Sequence, residues 1–407
     1  RKDSGSLFEG LEILEHEELC EKWMNQYPTL FLSFKDVDGT TFENAFNFLK
    51  FIISEACKQH VYLLDSDEID EGDKLVFQKL KTCSASMMEI QSCILRITNM
   101  LKSYYKKPVI LLIDEYDVPI AKASSNGYYK EMLEIMKGLL STALKDNSSL
   151  KFAVITGCLK IAKESIFTGT NNFVSDTISS TRYNEYYGFT QQDVDKLLAD
   201  AEIEEKADLI KEWYDGYRFG KADVYCPWDV LNYCRDLLKD EQAQPKNYWL
   251  NTSGNDVIEH FIDSVNGQQT LTKIELERLI SGEIVQKEIN EFITYKELYN
   301  TSENLWGTLF MTGYLTQRGK ADGNRYNLVI PNREVRNIIT EHILVKFRQD
   351  IKKDGQMVQR FCQALANGQA QQVEQIFATY MSKTVSVRDT FVRKAIRENF
   401  YHGILLG

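Results

Sequence analysis

Three continuous apolar runs punctuate a chain otherwise patterned for helix. Thr29-Leu-Phe-Leu-Ser-Phe34 follows Pro28 and leads into the turn-rich Lys35-Asp-Val-Asp-Gly39. Val109-Ile-Leu-Leu-Ile113 follows Lys107-Pro108 and breaks off at Asp114-Glu115, and Phe152-Ala-Val-Ile-Thr156 stops at Gly157. Apolar runs without alternation predict strands buried on both faces, as in a parallel sheet. Helical periodicity covers 42–60, about 78–105, and 128–144, so strand and helix alternate in the manner of an α/β domain. Beyond Phe189 the pattern changes. Thr190 reads as the N-cap of a helix running to Asp200. Further helices are expected over 209–213, 228–238, 255–265 and 270–280, with an aromatic segment around the Asp215-Gly216 turn. Weak strands begin at Tyr314 and cover 326–330, and a last helical region runs from Glu334 to Gly407, interrupted near Asn367-Gly368. The expected division is an α/β part up to about residue 190 and a mostly helical remainder.

Composition narrows the classes. The 407 residues suffice for two or three domains, and 43% hydrophobic with 26% charged residues is a folded composition. Acidic residues outnumber basic ones by 59 to 48, a net charge of −11. That argues against a surface that grips nucleic acid throughout and leaves room only for a local basic groove. No run approaches the ~20 apolar residues of a membrane span and no signal peptide opens the sequence, so a cytoplasmic protein without membrane contact is expected. The eight cysteines form no CxxC pair and the five histidines are scattered, which disfavours zinc and suits reduced thiols. An opening on Arg1 and a stop at Ile404-Leu-Leu-Gly407, inside an apolar run, are expected of a fragment of a longer protein.

The chemistry gathers at the end of the second apolar run. Asp114, Glu115 and Asp117 follow a buried strand directly, as acids do in the Walker B arrangement of P-loop ATPases. There the first acid holds Mg²⁺ and the second orients the attacking water. Ligands in open α/β sheets also sit at the carboxyl ends of parallel strands. The plain alternative is a pair of solvated acids in a turn. Thr156, at the tip of the third run, is placed to sense a γ-phosphate, and Lys160 and Lys163 on the following turn to stabilise charge. A Thr-Gly turn with two solvent-facing lysines remains the competing reading. The chain contains no GxxxxGK[ST] loop; Arg218-Phe-Gly-Lys221 lacks its first glycine and its hydroxyl and reads as a turn.

These residues belong to a longer ordered set. It runs from Leu7-Phe-Glu-Gly-Leu11 through Asp114-Glu-Tyr-Asp117, Thr156-Gly-Cys-Leu-Lys-Ile-Ala-Lys-Glu-Ser165, Asn171-Asn172, Tyr187-Gly-Phe-Thr190, Trp213-Tyr-Asp-Gly-Tyr217 and Cys226-Pro-Trp228. It continues with Trp249-Leu-Asn-Thr-Ser253, Gly313-Tyr-Leu315, Ile330-Pro-Asn332 and Phe400-Tyr-His-Gly403. In this order the chain resembles the bacterial AAA-ATPase-like proteins that carry a C-terminal PD-(D/E)XK nuclease-like domain. The resemblance implies a P-loop ATPase-like parallel sheet flanked by helices over residues 1–190. It further implies a helical lid over 191–300, a small winged-helix-like region over 301–345, and a helical linker over 346–407 to a nuclease-like domain. It implies ATP and Mg²⁺ as cofactors, with Glu115, Thr156 and Lys160 catalytic, Asp114 and Lys163 cofactor-binding, and Asp114 and Asp117 on the metal. DNA or RNA would be a partner through the nuclease-like domain, and an oligomer is left open. The phosphate loop of this family would lie upstream of Arg1, and its nuclease acids downstream of Gly407. Cys226 and Lys160 stand where the family has asparagine and arginine, and lysine keeps the charge but loses the planar fork.

Two functions follow. In the first, the chain is the nucleotide-binding part of a protein that couples Mg·ATP hydrolysis to a nuclease-like module, the fragment itself being inactive. In the second, it is a non-catalytic interaction scaffold whose ATPase fold has decayed. The aromatics around Asp215-Gly216 read most simply as packing around a turn.

Overall fold

The computed structural model describes residues 4–159, 173–249, 258, 261–262, 270–291, 293–298, 301–319, 322–353 and 355–376. The chain forms two compact units, one of residues 1–175 with 292–297, the other of 176–291 with 298–407. Among the described residues no helix is long and apolar enough to cross a membrane.

The first unit is built on a parallel sheet of β1 (Thr29–Ser33), β2 (Val109–Asp114) and β3 (Leu150–Ile155), with β2 in the centre. Register places Leu30, Leu111 and Ala153 in one row and Leu32, Ile113 and Ile155 in the next. Against these rows pack helices α2 (Phe42–Gln59), α5 (Cys93–Tyr105) and α7 (Tyr129–Leu144), which bring Leu49, Ile53, Ile97, Leu101, Ile135 and Leu139 into one core. The opposite rows run Phe31–Leu112–Val154 and Ile110–Phe152, and there Phe31 and Val154 remain 58% and 43% exposed. The strands therefore alternate in burial, and the expectation of burial on both faces holds for one face only. An all-apolar strand conceals this, because an uncovered aliphatic row is chemically identical to a covered one.

Local signals set the boundaries. Of the remaining helices in this unit, α1 covers Glu17–Trp23, α3 covers Glu71–Lys81, α4 covers Met87–Gln91 and α6 covers Val118–Asn126. The helical stretch expected over 78–105 is in fact α3, α4 and α5 in succession. Cys83 takes a left-handed conformation (φ 58°) after α3. Ser86 and Glu89 then form a capping box that starts α4, and Lys79 and the Ser86 amide hold the Glu89 carboxyl down at about 2. Helix α5 ends on Lys106, also left-handed, and Pro108 leads into β2.

The second unit begins with α8 (Gln191–Asp200), whose Thr190 and Asp193 form the capping box expected of that N-terminus. Next come α9 (Ala207–Tyr214), a hairpin of β4 (Tyr217–Phe219) and β5 (Ala222–Val224), and α10 (Pro227–Leu237). The rest is α11 (Thr270–Ile280), β6 (Val285–Glu288), α12 (Ser302–Met311), β7 (Thr316–Gln317), β8 (Arg325–Val329), α13 (Arg333–Lys353) and α14 (Gly355–Ala366). β6, β8 and β7 make an antiparallel sheet in that order. One apolar cluster centres on Trp306, Phe310 and Tyr314, and a second on Tyr214, Tyr233 and Leu198. Of the helix expected over 255–265, only Ile258, Phe261 and Ile262 are described, all helical and buried.

Candidate functional site

The sheet register assembles the site. Ser33 stands beside Asp114, and Ile113 beside Ile155, so three strands end on one level. The ladder then continues one step further. The Thr156 amide donates to the Ile113 carbonyl at 2.9 Å, the Tyr116 amide to the Thr156 carbonyl at 3.0 Å, and the Phe34 amide to the Asp114 carbonyl at 3.0 Å. With the backbone fixed, the Thr156 hydroxyl donates to Asp114 Oδ1 at 2.5 Å, which orients that carboxylate from the neighbouring strand.

Glu115 leaves the strand with φ 56°, a left-handed conformation that a residue with a side chain adopts at a cost of about 1–2 kcal/mol. Partial burial, then the nearby Asp117 and Asp114 charges, push the Glu115 carboxyl above its ordinary range. A carboxylate raised in this way is a stronger base than a free one.

Asp117 has another role. Its side chain is fully buried, and Oδ2 accepts from the Leu159 amide at 2.9 Å and from the Tyr295 hydroxyl at 2.7 Å. Its Oδ1 has no partner among the described residues. Burial raises the carboxyl, and the hydrogen bonds from Leu159 and Tyr295 oppose the rise. Tyr116 donates from its hydroxyl to the Leu159 carbonyl at 2.6 Å. Gly157 allows this packing: a Cβ there would lie 2.5 Å from Asp117 Oδ1 and 2.6 Å from the Tyr116 ring. Asp117 is thus a strut that ties β2, the segment after β3 and Tyr295 together. Ser124 adds a hydroxyl donor to the Tyr295 carbonyl at 3.4 Å.

The structure therefore brings Asp114, Glu115 and Thr156 together at the strand tips and turns Asp117 inward. Among the described residues no group of three or more His, Cys, Asp or Glu side chains is placed to hold a metal ion. The acceptors open to a cation are those of Asp114 and Glu115, all hard oxygen. Lys160, Lys163 and Asn171-Asn172 lie outside the described residues. Sequence reading missed Tyr295, 178 residues from its partner Asp117. No periodicity or spacing joins two such positions.

Comparison with known proteins agrees in outline. The model of the AAA-ATPase-like family, described as "Predicted AAA-ATPase", matches residues 1–167. An uncharacterized protein encoded in the vnfD 5′ region of Azotobacter chroococcum mcd 1 is 28% identical over 244 residues. The alignment covers 59% of this chain and 43% of that relative, so the chain spans less than half the relative's length. No solved structure matches the chain. The portion of the chain that is similar to the AAA-ATPase-like family is therefore the portion that carries the parallel sheet and its strand-tip acids.

Proposed function

We propose that the first unit is a P-loop ATPase-like module that takes Mg²⁺ and a nucleoside triphosphate at the carboxyl ends of β2 and β3. The observation that carries this reading is the Thr156–Asp114 hydrogen bond between adjacent strand tips, with Glu115 the next residue. The donor set fits the ion, since Asp114 and Glu115 offer hard oxygen to a hard cation that keeps most of its water. Bound there, Mg²⁺ would shield the triphosphate charge. Asp114 would hold the ion through its water shell, with Thr156 fixing the carboxylate rotamer until a γ-phosphate arrives to take the hydroxyl proton in its place. Glu115, made more basic by burial, orients the attacking water and accepts its proton. Lys160 supplies charge to the transferring phosphoryl group and Lys163 to the nucleotide. Asp117 keeps the second metal-side assignment only as a support, through the loop it holds. Residues 191–300 would serve as a lid, 301–345 as a winged-helix-like element, and 346–407 as a link to a nuclease-like module that acts on DNA or RNA.

The test is Mg²⁺-dependent ATP binding, followed by equilibrium dialysis or a fluorescent analogue, in wild type and Asp114→Ala. The reading expects binding to weaken at least tenfold in the variant when Mg²⁺ is present and to change little without it. Equal affinity under both conditions overturns it.

One observation favours a second reading. None of the 407 residues forms a GxxxxGK[ST] loop, and without its amides and lysine most affinity for β- and γ-phosphates is lost. A scaffold with a decayed ATPase fold would have that property. The codons immediately upstream of Arg1 separate the two: a Gly-Lys-Ser/Thr loop there supports the enzyme, and its absence supports the scaffold.

A further inference from the structure

The second unit holds a cavity of about 740 Å³ that the proposed ATPase chemistry does not use. It lies where the Trp213–Tyr217 and Ile330–Asn332 motifs meet, and one glycine permits the meeting. Gly216 has φ 117°, and a Cβ on it would stand 2.0 Å from the Pro331 carbonyl oxygen. Two backbone segments thus form one wall in direct contact. The first turn of α13, with Asn332 accepting the Val335 amide at 3.0 Å, contributes the positive end of a 21-residue helix to that wall.

The charges lining the cavity do not cancel. Lys211, Arg318, Arg333 and Arg336 line it together with Glu212, Asp215 and Asp223. Arg333 is taken up by Glu212 at 2.6 Å and lies over the Trp213 ring at 4.8 Å. Asp223 is taken up by Arg218, which donates to both of its oxygens at 2.8 and 2.9 Å. Lys211, Arg318 and Arg336 have no ion pair among the described residues, and Asp215 is the one acid left to offset them. The remainder is two positive charges in a chain whose net charge is −11. Arg336 Nε and Asn332 Nδ2 are also buried without a hydrogen-bond partner, and Asn332 is only 6% exposed. Donors buried in this state cost free energy until an acceptor arrives.

We propose that this cavity binds a phosphate monoester dianion, whose two charges match the two the wall leaves uncompensated, with Asp215 accepting from a hydroxyl of the esterified group. Two sources share that chemistry: a small sugar phosphate, and the 5′-phosphate terminus of a nucleic-acid strand. An internal phosphodiester, with one charge and no free ester oxygen, fits less well. The residues belong to the second unit and include none of Asp114, Glu115 or Thr156, so the outcome is independent of the nucleotide reading.

The test is isothermal titration of the 407-residue chain with ribose 5-phosphate, with a 5′-phosphorylated single-stranded oligonucleotide, and with the same oligonucleotide bearing a 5′-hydroxyl. Variants Arg318→Ala and Lys211→Ala remove exposed side chains whose loss leaves the fold intact, which circular dichroism checks. Saturable binding of either phosphorylated ligand, weakened about tenfold by each variant and unchanged by Asp114→Asn, supports the proposal and tells which source applies. Absence of binding by both ligands overturns it, as does equal binding of the 5′-hydroxyl strand. Affinities that the two variants leave unaltered also overturn it.

Discussion

Tyr295→Phe isolates the strut beneath the strand-tip acids. The substitution removes one hydroxyl and keeps the ring, so it leaves packing in place and deletes the 2.7 Å bond to Asp117 Oδ2. Asp117 is fully buried and its Oδ1 already has no partner among the described residues, so in the variant the carboxylate is left to backbone amides, the Leu159 amide at 2.9 Å first among them. A hydrogen bond to a charged group contributes about 1.5–3 kcal/mol. The expected loss is therefore about 2 kcal/mol of stability in the first unit. The sign of its pH dependence follows from Asp117. Burial raises its folded pKa above the unfolded value, so its contribution is fully present below the unfolded value and is lost as pH rises through the folded one. Losing a donor to the carboxylate raises the folded pKa again, so Tyr295→Phe costs more at high pH, where Asp117 is ionised, than at low pH, where it is protonated. Urea denaturation over a pH series, followed by far-ultraviolet circular dichroism, measures both effects. A loss below about 0.5 kcal/mol at the alkaline end of the series, or one that grows as pH falls, would refute the strut.

Other outcomes follow from single contacts in the second unit. Glu334 and Asp229 are both 1% exposed, and burial followed by the Asp229 charge pushes the Glu334 carboxyl up to about 8 from its ordinary 4.5. The native state therefore holds a proton that the unfolded chain has released, so stability falls as pH rises from about 4.5 through 8. Glu334→Gln should flatten that slope in denaturation series between pH 6 and 9; an unchanged slope contradicts the shared proton. Gly216→Ala meets both a left-handed backbone and the Pro331 oxygen, whereas Gly282→Ala meets only φ 88° and a side-chain nitrogen at 3.7 Å. Midpoints of urea unfolding should show a loss of about 1 kcal/mol at Gly282 and at least ~2 kcal/mol more at Gly216. Equal losses would show that the close approach carries no energy.

The sequence disclosed the elements whose signal is local. β2 was legible because Pro108 precedes it and two acids end it, and the N-terminus of α8 because Thr190 and Asp193 stand three residues apart. The break between α3 and α5 was not, because Cys83 and Ser84 lie inside an uninterrupted helical periodicity and nothing in a cysteine announces a positive φ. β6 reads Val-Gln-Lys-Glu, and the β4–β5 hairpin has three-residue strands carrying Arg218 and Asp223; neither shows apolar alternation, and tertiary pairing decides both. At the candidate site, Asp114, Glu115 and Thr156 could be named from strand ends alone. The inward turn of Asp117 could not, because it depends on Gly157 and on Tyr295 arriving from a distant part of the chain.

The claim on which the account depends is that the tips of β2 and β3 are where a metal-bound triphosphate is cleaved. It is tested most directly by steady-state ATP hydrolysis by the natural full-length protein, with and without Mg²⁺, wild type against Glu115→Gln. The expected result is Mg²⁺-dependent turnover that falls about a hundredfold or more in the variant while ATP still binds. Turnover by Glu115→Gln equal to that of wild type would contradict it.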